Sequence, residues 1–125
     1  MTLTADIAPP NSVLLIMDRS VGQIPDSLMG GLTAFTPTCV AIGTRSEHDG
    51  DTRVTLEEND GSSCRGVPAF DGVLDTPDRK IAVCSVLDDV IFELPVPAER
   101  TRVRIWANDA SEPSEIYIVV SSHVS

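Results

Sequence analysis

The sequence predicts an all-β fold: an antiparallel β-sandwich of seven or eight strands with one short helix. Short apolar runs of strand length recur along the chain, with turn signals at roughly 8–12-residue spacing. Several runs alternate apolar and polar residues, as in Thr52-Arg53-Val54-Thr55-Leu56-Glu57-Glu58. Only one stretch, residues 24–34, shows helical spacing.

Residues 1–11 are mostly polar and close on Pro9-Pro10-Asn11, which predicts an extended N-terminal lead-in to a single domain spanning 1–125. Val13-Leu14-Leu15-Ile16-Met17 is apolar on both faces, as a central strand covered on both sides requires. In 24–34, Ile24, Leu28 and Leu32 fall at i, i+4 and i+8. Pro25 and Asp26 suit a first helical turn, and Gly30-Gly31 ends it. Cys39 to Thr44 reads as a strand with Val40 and Ile42 facing the core. Asp49-Gly50 predicts a hairpin tip between it and the strand Thr52 to Glu58.

Val67-Pro68-Ala69-Phe70 reads as a short edge strand, because Pro68 has no amide to donate. Asp71-Gly72 and Thr76-Pro77-Asp78 mark turns. Three runs follow, Lys80 to Val86, Val90 to Pro95 and Arg100 to Trp106, with short polar breaks between them. They predict an antiparallel meander. After a loop at 108–114, Glu115 to Val120 closes the fold with Ile116, Ile118 and Val120 on one face.

The chain of 125 residues suits one domain that buries its own core. Its 42% apolar content argues against disorder. Nineteen acidic residues against nine basic ones give a net charge of -10. That sign opposes phosphate backbones and anionic lipid, so neither direct nucleic-acid binding nor membrane adhesion is expected. It suits a basic protein partner, and it also suits plain solubility. Cys39, Cys64 and Cys84 are odd in number and form no CxxC pair, so a disulfide framework is not expected and a cytoplasmic setting is. No signal peptide is expected at the N-terminus. Val13–Met17 is too short to span a membrane.

Catalytic groups are sparse. His48 lies in a loop and His123 three residues from the end, and there is no Gly-x-Ser-x-Gly elbow. No cofactor is implied, and the expectation is a protein without enzymatic activity. His48, Asp49 and Asp51 offer metal ligands without the EF-hand spacing. Two sets of residues stand out as a partner-binding surface. The first is acidic: Glu47, Asp49, Asp51, Glu57, Glu58 and Asp60. They form two poles at the ends of one strand, roughly 20 Å apart. The second is Arg100, Arg102, Arg104 and Trp106, which alternate and so share one strand face. Arg102, Arg104 and Trp106 have the composition of an interface centre. Equally, such arginines pair across strands with carboxylates such as Glu93 or Glu115, their stems covering Trp106.

The order of elements is similar to that of competence protein J, a small nuclease inhibitor, and its relatives. The likeness rests on the opening apolar strand followed by Gln23, and on Gly31-Leu32-Thr33-Ala34. It continues with Val67-Pro68-Ala69-Phe70, with Cys84-Ser85-Val86 leading to Ile91-Phe92-Glu93-Leu94-Pro95, and with the strand ending at Trp106. The chain departs from that family after Pro95, where Val96-Pro97-Ala98-Glu99 replaces a glycine-type tight turn. The family's inhibitory residues do not map onto it one by one. The resemblance implies a non-enzymatic, protein-binding inhibitor or immunity role. The alternatives are a small-molecule or metal-binding sandwich and a subunit that self-associates as a homodimer.

Overall fold

A computed structural model describes residues 2–9, 12–25, 32–58, 66–87, 89–109 and 113–122. It is an all-β sandwich, with ten strands among the described residues. They are β1 (Thr2–Ile7), β2 (Val13–Met17), β3 (Thr33–Thr36), β4 (Cys39–Gly43), β5 (Thr52–Glu58), β6 (Val67–Asp75), β7 (Lys80–Ser85), β8 (Val90–Pro95), β9 (Arg100–Ala107) and β10 (Glu115–Ser122). One five-stranded sheet runs β1-β5-β10-β9-β6, and the other runs β3-β4-β2-β7-β8.

The core lies between the sheets and follows the alternation of the sequence. Leu14, Ile16, Val40, Ile42, Ile81 and Val83 of one sheet meet Val54, Leu56, Val103, Ile105, Ile116 and Ile118 of the other. β2 is the central strand of its sheet, and both of its faces are buried. Leu14 and Ile16 enter the main core, while Leu15 and Met17 join Cys39, Ala41 and Cys84 in a second cluster. A strand without an exposed face has no place for a polar residue, which explains the unbroken Val13–Met17 run.

Several expectations are corrected. The extended lead-in also joins a sheet: Thr2–Ile7 pairs antiparallel with β5 from Thr2↔Glu57 to Ile7↔Thr52. The Asp49-Gly50 hairpin is absent, because β4 and β5 belong to different sheets. The chain instead crosses between the layers through a 3-10 turn at Glu47–Asp49, and Gly50 takes a left-handed φ of 125°. The meander is likewise broken. β7 and β8 pair, but β9 crosses to the opposite sheet and lies between β10 and β6. The pattern is not wholly antiparallel either, since β10 runs parallel to β5.

The short edge strand at 67–70 continues through Asp71-Gly72 to Asp75, with a bulge between Pro68 and Phe70. It remains an edge strand, as Pro68 requires. Gly66 opens it at φ 108°, and a Cβ there would collide with the Ala107 carbonyl. The expected helix falls largely on residues 26–31, outside the described residues. Within its span, Ile24 and Pro25 carry no regular structure, and Thr33 and Ala34 start β3.

Candidate functional site

The alternation in β9 buries Thr101, Val103, Ile105 and Ala107 and sends Arg100, Arg102, Arg104 and Trp106 to the outer face of its sheet. The registers of the neighbouring strands extend this face. Arg104 stands opposite Val119 of β10, which stands opposite Glu57 of β5. Trp106 lies opposite Tyr117 on one side and Pro68 on the other. The structure thus brings Glu57, Arg102, Arg104 and Trp106 onto one sheet face.

That face is laced by ion pairs. Arg102 donates from Nε to Asp71 Oδ1 at 3.0 Å and from Nη2 to Oδ2 at 2.7 Å. Arg100 stands 3.8 Å from Asp75, and Arg53 pairs with Asp6 at 2.9 Å. The hydrogen bond from Arg102 holds the Asp71 carboxyl below its ordinary range, and that from Arg53 does the same for Asp6. The partners of Arg100 and Arg102 are therefore aspartates of β6, not Glu93, which lies on β8 in the other sheet, while Glu115 of β10 stands opposite Arg53. The alternating Asp71-x-Val73-x-Asp75 pattern carried that signal, hidden by the reading of Asp71-Gly72 as a turn.

Trp106 is half-buried rather than exposed, with the Arg104 guanidinium 5.6 Å from its ring centroid. Among the described residues this face carries five carboxylates (Asp6, Glu57, Asp71, Asp75, Glu115) and four guanidiniums (Arg53, Arg100, Arg102, Arg104). It is nearly neutral, so most of the net charge of -10 lies elsewhere.

The two acidic poles sit at opposite ends of β5. Glu57 and Glu58 end that strand, and Asp60 lies outside the described residues. Glu47, Asp49 and Asp51 precede it, in the crossover. Here the fold adds what the sequence separates. Arg45 N donates to Pro113 O at 3.0 Å, and Thr44 N to Ser12 O at 2.8 Å. The crossover is thereby tied to the β9–β10 loop, which carries Asp109, and to the segment following β1. The β7–β8 turn, with Asp89, is at the same end, because Leu14 near the start of β2 pairs with both Ile42 and Ser85. Arg45 turns inward on this loop, its guanidinium donating to the Asp51 carbonyl from Nε at 3.0 Å and from Nη2. Asp49, Asp51, Asp89 and Asp109 are exposed. Sequence reasoning missed Asp89 and Asp109, since nothing local ties their turns to residues 47–51.

Among the described residues, no group of three or more His, Cys, Asp or Glu side chains is placed to hold a metal ion. His123 and Cys64 lie outside the described residues. No helix among the described residues is long and apolar enough to cross a membrane.

No protein-family model matches the chain, and no curated protein matches it in sequence. Solved structures do share its fold. The crystal structure of ComJ, inhibitor of the DNA degrading activity of NucA, from Bacillus subtilis, matches with a TM-score of 0.69 at 8% identity. The match covers 97% of this chain and 96% of that one. Crocagin biosynthetic gene J matches with a TM-score of 0.54 at 12% identity, over 98% of this chain and 96% of that one. The expected resemblance to competence protein J holds at the level of the fold.

Proposed function

We propose that this ComJ-like sandwich is a non-enzymatic, protein-binding domain of the inhibitor type, and that its partner is a basic protein such as a nuclease. The observation that carries this reading is the near-complete fold match to an inhibitor of a DNA-degrading enzyme. The charge of -10 supports it. A nuclease cleft is built to hold polyanionic DNA, and spaced carboxylates can occupy such a cleft in place of phosphates. Arg102 and Arg100 of β9 fit the same reading, since their charge is balanced within their own sheet by Asp71 and Asp75.

The test is affinity capture from the native host at low and at high salt, followed by a DNA-degradation assay on the captured protein. The expected result is a basic nuclease retained at low salt, released at high salt, and slowed in DNA cleavage when this protein is added back. A clean dimer mass with no basic protein captured at low salt would sink the proposal.

A further inference from the structure

The two sheets are closed along one side by β3 and β6, and the edge strands β1 and β8 form the other side. On the closed side β3 meets β6: Phe35 and Phe70 pack edge-on with centroids 5.4 Å apart, and Thr33 Oγ1 donates to Ala69 O at 3.4 Å. On the opposite side stand β1 and β8, each hydrogen-bonded to one neighbour among the described strands. Between them, at the acidic end, lies a cavity of about 250 Å³ lined by Ile7, Ala8, Pro9, Ser85, Asp89 and Ile91. Leu87, in the adjacent turn, is 66% exposed.

The lining is mostly apolar and carries two polar residues, Ser85 and Asp89. Ser85 is 4% exposed, and its Oγ accepts from Leu87 N at 3.1 Å and Asp89 N at 3.3 Å. These bonds shape the turn and leave the Ser85 hydroxyl proton committed to no acceptor among the described residues. The cavity is smaller than the usual range of roughly 300–1,000 Å³ for small-molecule sites, and it lacks their several convergent polar groups. A volume of this size suits one or two aliphatic side chains. Two strand edges beside it suit extended backbone, which adds to a sheet edge while a pocket selects alternate side chains. Asp89 stands in the rim, and Asp49, Asp51 and Asp109 lie at the same end of the sandwich.

We infer that the groove between β1 and β8 is the docking site for an extended, lysine- or arginine-bearing segment of a protein partner, with one aliphatic side chain seated between Ile7 and Ile91. The inference deepens the inhibitor reading and rests on it. The acidic end attracts the segment, the groove holds its apolar anchor, and the Ser85 hydroxyl donates to its backbone. The nearly neutral β9 face plays no part in this contact.

The test is a titration of the isotope-labelled full chain, followed by amide NMR, with the synthetic peptide Lys-Val-Lys-Leu-Lys-Val-Lys. Saturable shifts are expected at Ile7, Ala8, Leu87, Asp89 and Ile91. Affinity should fall at least tenfold for Lys-Ser-Lys-Ser-Lys-Ser-Lys and for Glu-Val-Glu-Leu-Glu-Val-Glu. Ala8→Arg, which fills the groove mouth from an exposed position, and Leu87→Ser should each weaken binding several-fold without lowering Tm. No saturable binding, shifts centred on Arg102 to Trp106, or equal binding of the serine peptide would overturn the inference. Affinity capture with Ala8→Arg separates the two readings. If the variant retains a basic nuclease as well as the wild type does, the inhibitor reading stands and the groove is not its site.

Discussion

Arg102 grips Asp71 through two guanidinium nitrogens, at 3.0 and 2.7 Å, across neighbouring strands that are 31 residues apart in sequence. This pair decides how the basic strand is understood. Four cationic or aromatic side chains in alternation suggest a free binding surface. With Arg100 and Arg102 met by aspartates of β6, they form instead a nearly charge-balanced outer face.

The Arg102–Asp71 pair gives the first prediction. The hydrogen bond lowers the folded-state pKa of Asp71 below its unfolded value, near 3.9. Such a carboxylate adds stability that is complete above about pH 4 and is lost as pH falls through the folded value. Both side chains are substantially exposed, so the effect is small and salt-sensitive. Asp71→Asn should lower the midpoint of urea unfolding slightly at pH 7, less so in 1 M salt, and progressively less as pH falls below about 4.

Cys39 should be inert in the folded protein. Burial first, and neighbouring Cys84 second, push its thiol up to about 12. Ellman's reagent at pH 8 should therefore leave Cys39 unmodified until the chain is unfolded. The unfolded chain releases this proton near pH 8.5, well before the folded chain does. Stability should accordingly decline as pH rises from about 8.5 towards 12, and Cys39→Val should flatten that decline.

Asp18 ties the exit of β2 to the turn after β6. Its carboxylate is buried and accepts from Ser20 N at 2.9 Å, Ser20 Oγ at 2.6 Å and Asp78 N at 2.8 Å. Asp18→Ala leaves these donors without their acceptor and should cost about 1–3 kcal/mol in denaturant unfolding. Asp18→Asn keeps one acceptor oxygen and should cost less.

The charge distribution predicts which substitutions change partner association. Asp49→Lys with Asp51→Lys should slow association with a captured basic partner several-fold at low salt, and should have little effect at 0.5 M salt. Arg102→Glu should leave the rate nearly unchanged. The reverse ranking in stopped-flow or surface-binding kinetics would move the interface to the β9 face.

Much of the fold was legible because alternation fixes which face a strand residue takes. Val54, Leu56, Val103, Ile105, Ile116 and Ile118 are all buried as the pattern requires, and the apolar run Val13–Met17 marks the central strand. The errors share one cause. A turn signal such as Asp49-Gly50, or a short break such as Pro97-Ala98-Glu99, reports that the chain changes direction. It does not report whether the next strand pairs in the same sheet or crosses to the other. The pairing of the extended N-terminus was hidden for a related reason: Thr2 to Ile7 alternates as an edge strand should, but its partner β5 lies 45 or more residues away.

By itself, the sequence determined the class of fold, the buried faces of most strands, the acidity and the outward alternation of Arg100 to Trp106. Each depends on residue type and on a local period of two. Only the tertiary structure decided that β8 and β9 part company, that Asp71 and Asp75 pair with Arg102 and Arg100, and that Asp89 and Asp109 share an end with Asp49 and Asp51. It alone brought Ile7 of β1 and Ile91 of β8 to one cavity. These are relationships between segments distant in the chain, set by which sheet each strand joins, and no local pattern records that choice.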